Sequence, residues 1–527
     1  MDYVSFCYLG IILPVILVLY KITAKSYRWL ILLISNCVFF YLISGGLIVY
    51  LFWTTISIYF VGICLSYFKK EYLKSKKVVD DVAKLKTSYI KKKRIILLVG
   101  ILFNMIILGT FKYFDFLINN TNLFFKVLSI TSSFEELKLV APIGISFYTL
   151  QAISYIVDVY QEKIEADTNL GRLALFMSFF PIIMEGPICR YSDIAESLYA
   201  GEPLKYKNVT FGVQRIIWGV FKNIVIADRL NLFIKNVFDS NKEYGGVVVI
   251  LGAIFYTIQL YMNFSGTIDI TIGIGEMFGV KIPENFRQPF FSKTPSEFWQ
   301  RWHITLGTWF KDYIFYPLSL TKWVKKIGKK TRKKYGKNAG KIVTSAIALF
   351  AVWLSNGIWH GSRWSYIFYG MYYFILILLG KILEPYNTKV ISYLRINKNK
   401  VVYRVLQTVK MLVIIFTGEM FFRANGIKAG LSMLNAIFTK FSLSDLSNGT
   451  ISELGMDVKD LWIILIAVII VFIVGLLKEK GISIREEISN MNIFIRWNFY
   501  YIAILIIIIF GAYGEGYVPA DLIYAGF

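Results

Sequence analysis

Apolar stretches long enough to cross a bilayer recur along the whole of this chain, and that recurrence restricts its fold more than any single motif does. They lie at about 3–21, 28–44, 46–68, 95–118, 141–160, 172–188, 211–227, 246–264, 302–318, 342–358, 364–383, 404–422, 461–477 and 497–513. A hydrocarbon core about 30 Å thick takes roughly 20 helical residues, and within it each backbone N–H and C=O must be satisfied inside its own segment. Of the 527 residues 56% are hydrophobic, too many for a globule that lives in water. An all-α polytopic membrane protein is therefore expected, with about 11 to 14 membrane segments in a single integral-membrane domain. Within residues 1–527 we read amino-terminal spans over 1–140, a core over 141–365 and carboxy-terminal spans over 366–527. The first run, Phe6 to Tyr20, has no basic stretch ahead of it and no small-residue cleavage signal after it, so it reads as a retained span.

The formal net charge of +24 invites a nucleic-acid reading, but the position of the charge excludes it. Lysine and arginine concentrate between apolar runs, notably Lys69 to Arg94 and Lys322 to Lys341, a pattern that retains loops in the cytoplasm and draws anionic lipid. No aromatic-studded nucleic-acid module accompanies them, so the partner of this charge is the lipid bilayer. With Lys21 to Arg28 and Lys69 to Arg94 cytoplasmic and Ile43 to Gly46 a short external turn, the amino terminus lies outside. Cys7, Cys37, Cys64 and Cys189 are scattered without paired spacing and read as packing residues. Two distant histidines with no thiol or acidic cluster predict no metal site.

The middle of the chain breaks the pattern. Pro142, Pro181 and Pro187 interrupt it, and Asp158, Glu185 and Asp269 fall at depths where charge is rare. Irregular backbone at membrane depth is tolerated only inside protein or along a cavity, so re-entrant helices around a tunnel are expected there. No internal repeat is evident, and the Gly/Pro interruptions do not recur in matching halves as in an inverted-repeat transporter. A polysaccharide or lipid transporter nonetheless stands as a reading from another class, as does a structural membrane partner.

Both histidines lie in unusual surroundings. If Trp353 to Trp364 is helical, Trp353, Asn356, Gly357, His360 and Trp364 share one stripe that is bulky, polar and notched. Such a residue is either a hydrogen-bonded histidine at the membrane interface or the centre of a site. Thr294-Pro-Ser-Glu297 reads as a capped helix start, and a helix running on through His303 puts Trp299, His303 and Gly307 on one face. An interfacial amphipathic helix with tryptophans at headgroup level accounts for that stretch equally well.

Phe298-Trp-Gln-Arg-Trp-His-Ile-Thr-Leu306, Trp309-Phe-Lys-Asp-Tyr313 and Ile358-Trp-His-Gly361 together resemble the membrane-bound O-acyltransferase family, in its alginate O-acetyltransferase-like bacterial branch. Pro142 to Tyr160, Gly186 to Asp193 and Asn263 to Asp269 are similar to that branch as well. Departures are Glu185, where a small residue is expected before Gly-Pro, and Asn263, where an acidic residue is frequent.

The resemblance implies an enzyme of the bacterial cell (inner or plasma) membrane. It moves an acyl group from a cytoplasmic thioester, acetyl-CoA by likeness to the alginate branch, to hydroxyls of an extracellular or cell-wall polysaccharide. No bound cofactor is implied. A separate external or membrane-anchored acyltransferase partner often completes the transfer in this branch, and a related activity passes D-alanine from a carrier protein to teichoic acid. His360 and His303 are then the catalytic candidates, and Asn356, Trp299, Trp302, Arg301 and Trp359 the binding or supporting ones. An alcohol is a weak nucleophile at neutral pH, and an apolar surrounding favours the neutral imidazole that a general base requires. His360 fits that role, a polar neighbour such as Asn356 could fix its tautomer or polarise the carbonyl, and His303 could orient the donor, position the acceptor or assist proton transfer.

Overall fold

The computed structural model describes residues 5, 7–240, 242–514 and 516–521. All regular structure among them is helical. Nine helical stretches among the described residues are long and apolar enough to cross a membrane, and two shorter apolar helices, Cys7–Ile22 and Ile427–Thr439, accompany them. The first of the nine, Lys25–Ser75, contains two helices, Arg28–Ser44 and Ile48–Ser75, which turn at Gly45. Large apolar side chains stay exposed along these stretches, among them Ile34, Val38, Phe60, Leu102 and Ile106, each more than half exposed. Such a surface is stable against lipid and not against water. The chain is a multi-pass membrane protein.

The fold divides into two compact units. The first takes the chain up to Val213 together with Thr271–Pro283, and the second takes Gln214–Ile270 and the chain from Glu284 onward. In the first unit the 46-residue helix Val82–Val127 starts at Asp81, whose side chain accepts the Lys84 N–H at 2.9 Å. Near its other end Asp115 accepts the backbone N–H groups of Leu137 (2.8 Å) and Lys138 (3.0 Å). Asn122 exchanges two hydrogen bonds with the backbone of Phe134, so the segment around 134–138 is fastened along the helix.

The expected interruption of the middle is visible here as two short helices, Leu170–Ser178 and Phe180–Ile183, with Pro181 in the first turn of the second. The break leaves backbone and hydroxyl groups in an apolar interior, and Asn36 answers them. Its side chain donates to Ser178 Oγ at 3.1 Å and accepts the Phe180 N–H at 3.0 Å, and it is fully buried. A buried polar group left without such a partner costs about 1–3 kcal/mol, which explains an asparagine inside an otherwise apolar span. Asp158 and Glu185 are both buried in this unit.

In the second unit Asp269 lies between two cations. Arg215 Nε is 2.9 Å from one carboxylate oxygen and Lys222 Nζ 2.5 Å from the other, while Arg215 also grips Glu284 at 2.7 and 2.6 Å. Lys222 sits on a π-helical turn, Phe221–Ala227, which widens the helix where its ammonium group turns inward. Charge at this depth is tolerated because each member is paired.

Candidate functional site

The two histidines belong to the second unit, and each lies where a helix stops. The capped start at Thr294 is present: its side chain accepts the Glu297 N–H at 3.1 Å, with Pro295 in the first turn. That helix, Pro295–Arg301, ends before His303, and a second begins at Ile304. The continuous helix through His303 expected from the sequence is thus corrected. His303 takes a left-handed conformation (φ 46°, ψ 52°) between the two pieces. The cause is a distant strip of chain: Arg287 N–H donates to Arg301 O at 2.9 Å, and Ile304 N–H donates to Asn285 O at 3.0 Å. Backbone hydrogen bonds that a helix keeps to itself are given to residues 285–287, and the left-handed residue, at a cost of about 1–2 kcal/mol, is held in place by them.

Asn285 also fixes the imidazole. It is fully buried, and its Oδ1 accepts the Thr305 N–H at 3.0 Å and the Thr305 hydroxyl at 2.9 Å. A backbone N–H only donates, so the atom facing it is the amide oxygen. His303 Nδ1 lies 3.2 Å from that same oxygen and therefore carries its proton. The lone pair of the neutral ring then belongs to Nε2. Burial holds the His303 imidazole well below the ordinary histidine value, and the charge of His360 acts in the same direction. Phe264 and Trp359 flank the ring, with centroids at 4.9 and 5.9 Å.

His360 is the last residue of the Lys337–His360 helix, 5% exposed. The chain leaves the helix at Gly361, which is extended, and the next helix, Trp364–Tyr393, starts three residues later. Trp364 therefore does not continue the stripe of Trp353, Asn356, Gly357 and His360; it is 56% exposed at the start of a different helix. The remaining members of the stripe are buried. Two glycines bring the helices together. A Cβ on Gly357 stands 2.6 Å from the Tyr366 carbonyl oxygen, and one on Gly370 stands 2.3 Å from that of Trp353, so only glycine permits this backbone approach. Around His360 stand Phe422, Trp359, Tyr369 and Tyr366, with ring centroids at 5.2, 5.3, 6.3 and 6.5 Å.

Trp359 neighbours both histidines and is the aromatic link between them. Trp299 packs edge-on against Trp353 at 4.9 Å and Tyr373 at 5.0 Å, joining its short helix to the pair that carries His360. Trp302 is buried among Phe286, Phe298 and Tyr261. Arg301 is engaged elsewhere, with Glu297 at 3.0 Å and in close contact with Glu479. Asn356 is buried one turn before His360, and its Nδ2 has no hydrogen-bond partner among the described residues.

Two members of this surrounding escaped the sequence reading. Glu419, on the Val401–Arg423 helix and 1% exposed, accepts the hydroxyl of Tyr369 at 2.8 Å. A carboxyl group inside an apolar run is the same signal that marks Asp158, Glu185 and Asp269, and it was available here. Asn285 lies in a stretch with no periodicity to single it out, and its role follows only from the folded chain.

Both histidines are buried in the second unit of a protein whose spans expose large apolar side chains. The chain belongs to the membrane-bound O-acyltransferase family, whose model matches residues 164–416, and it is an O-acyltransferase of the alginate O-acetylase-like branch. It is 30% identical over 456 residues to the protein named "Probable alginate O-acetylase AlgI" of Pseudomonas syringae pv. tomato, covering 86% of this chain and 79% of that one. It is also 33% identical over 305 residues to the "Peptidoglycan O-acetyltransferase" of Helicobacter pylori, covering 53% and 54%. Over 256 residues it is 32% identical to the "Teichoic acid D-alanyltransferase" of Bacillus subtilis, covering 48% and 62%.

Proposed function

We propose that this enzyme transfers an acetyl group from acetyl-CoA on the cytoplasmic side of the bacterial cell membrane to hydroxyls of an extracellular or cell-wall polysaccharide. The observation that carries the chemical part is the burial of both histidines in one unit, His303 1% and His360 5% exposed, with the Trp359 ring beside each. In this reading His360 is the general base. The acceptor oxygen bonds to the thioester carbonyl carbon as its proton passes to His360, the C–S bond then breaks, and the proton leaves with the thiolate. The Nε2 lone pair of His303, set by Asn285 at Nδ1, accepts a hydrogen bond from a neighbouring hydroxyl of the acceptor sugar and so aims the reacting one. The aromatic surround keeps water from competing as the acceptor.

The choice of acetyl rests on coverage: similarity to the alginate acetylase runs over 86% of this chain, whereas that to the D-alanyltransferase runs over 48%. A separate external or membrane-anchored acyltransferase partner finishes delivery in this reading. The test is transfer of radiolabelled acetyl from acetyl-CoA to cell-wall or exopolysaccharide fractions in membranes containing the wild-type chain. Label appearing only from D-alanyl carrier protein overturns the acetyl assignment, and equal transfer by His360→Ala overturns the site.

A further inference from the structure

A chain of charged groups leads from the interior of the second unit to the strip that holds His303. Lys222 Nζ donates to Ser265 Oγ at 2.8 Å and to one oxygen of Asp269 at 2.5 Å. The other oxygen of Asp269 accepts Arg215 Nε at 2.9 Å, and the two terminal nitrogens of the same guanidinium bond the two oxygens of Glu284 at 2.7 and 2.6 Å. The next residue is Asn285, whose backbone carbonyl accepts the Ile304 N–H and whose side chain holds Thr305 and the His303 imidazole.

Residues 284–288 form no helix or strand, so the direction of this strip is set by what it is fastened to. It has three fastenings. Phe286 packs against Phe264 and Trp302, with centroids at 5.0 and 5.1 Å, but apolar packing is non-directional and lets a ring slide or turn. The Arg287 N–H bonds Arg301 O, on the helix just before His303, so that bond travels with the histidine and gives it no outside reference. The grip of Arg215 on Glu284 is different, because two parallel bonds from a guanidinium to a carboxylate fix angle as well as distance. Arg215 is itself held: its side chain is 12% exposed and is bound to Asp269, which Lys222 secures from the π-helical turn Phe221–Ala227.

We infer that the Arg215–Glu284 ion pair is a positioning device for His303. Glu284 sets the place and angle of Asn285, and Asn285 sets the imidazole. The consequence for turnover rests on the role proposed above for His303. A misplacement of about 1 Å costs up to about 10²-fold in rate, and with the Phe286 packing still in place a loss of about tenfold is expected for Glu284→Ala.

The chain has two histidines, so nitrogen-15 histidine labelling of the full chain in lipid bilayers gives two imidazoles to follow by solid-state magnetic resonance, and His360→Ala, which leaves one, assigns them. Asp239→Ala is the comparison. Arg423 grips Asp239 at 2.7 and 2.6 Å, and the Asp239 side chain is 50% exposed where that of Glu284 is 45%. Among the described residues Asp239 makes no bond to residues 284–288. In Glu284→Ala the ring nitrogen signals of His303 are expected to move or broaden, with acetyl transfer at saturating donor slower by about tenfold. In Asp239→Ala the His303 signals are expected to stay in place at a comparable fall in the unfolding midpoint. Glu284→Gln keeps the length of the side chain and one accepting oxygen, and is expected to give an intermediate displacement, so the matter does not hang on the folding of one variant. Unmoved His303 signals in both Glu284 variants, or an equal displacement in Asp239→Ala, overturn the inference. Displaced signals with an unchanged rate leave the inference standing and remove His303 from the reaction.

Discussion

A buried imidazole is useful as a base only while it is neutral and correctly turned. His360→Ala is expected to lower acetyl transfer by about 10²- to 10⁴-fold, the range for loss of a positioned base, in protein that still inserts and folds. The check is labelled acetyl transfer per folded molecule; a packing histidine lowers folded yield and leaves that ratio unchanged. Asn285 acts through His303. Asn285→Leu takes away the acceptor for Nδ1 and for Thr305, and the freed ring is expected to cost about 10²-fold in kcat. Asn285→Asp keeps the acceptor and adds a negative charge, which favours the imidazolium. Its kcat is expected to partly recover at high pH, with an acid limb displaced to higher pH than in the wild type. The sign for stability follows from the same burial. His303 is held below its ordinary value in the folded chain, so the unfolded chain takes up the proton first. That contribution is complete above about pH 6.5 and is lost as the pH falls below it. Both residues were conspicuous in the sequence because there are two histidines in all. Asn285 was not, because it acts through atoms that its own neighbours in sequence do not touch.

At the scale of the helix, length and apolar content were readable and the breaks were not. The spans followed from runs of about 20 apolar residues, whose helical state lipid enforces whatever else happens. The stop before His303 depends on hydrogen bonds from residues 285–287, and no local propensity announces a left-handed histidine after Trp302. The stop after His360 had a local cue in Gly361, but helical spacing alone carried the stripe past it to Trp364. The glycines at the helix contact lead to a prediction at this scale. Gly357→Ala and Gly370→Ala each press a methyl group onto a backbone carbonyl, at 2.6 and 2.3 Å, which no side-chain rotation relieves. Each is expected to cost about 1–3 kcal/mol and to lower the unfolding midpoint and kcat together, because the displaced helix carries His360. Unfolding in detergent and single-turnover transfer measure the two effects on the same preparation.

For the whole molecule, the basic segments set orientation. Cysteines introduced at Lys76 and Lys333, in an otherwise cysteine-free chain, are both expected to resist an impermeant thiol reagent in intact cells and to react after lysis. Labelling of one and protection of the other overturns the shared cytoplasmic placement. The paired charges around Asp269 belong to this scale too, since they tie residues 215 and 222 to one carboxylate and residue 215 to a second at Glu284. Asp269→Asn takes the carboxylate from the buried Lys222, while Arg215 keeps Glu284, and is expected to destabilise the chain by about 3–5 kcal/mol, read as a loss of folded protein from membranes. The helix Val82–Val127 reaches further than any of these contacts. Its 46 residues measure about 69 Å, more than twice a hydrocarbon core of about 30 Å. The apolar stretch at 95–118 is long enough for that core by itself, and the helix continues beyond it at both ends. The end before it carries Lys84, Lys86 and Lys91, and towards the other end Asp115 and Asn122 fasten the segment around 134–138 along the helix, so that the rod is stiffened there.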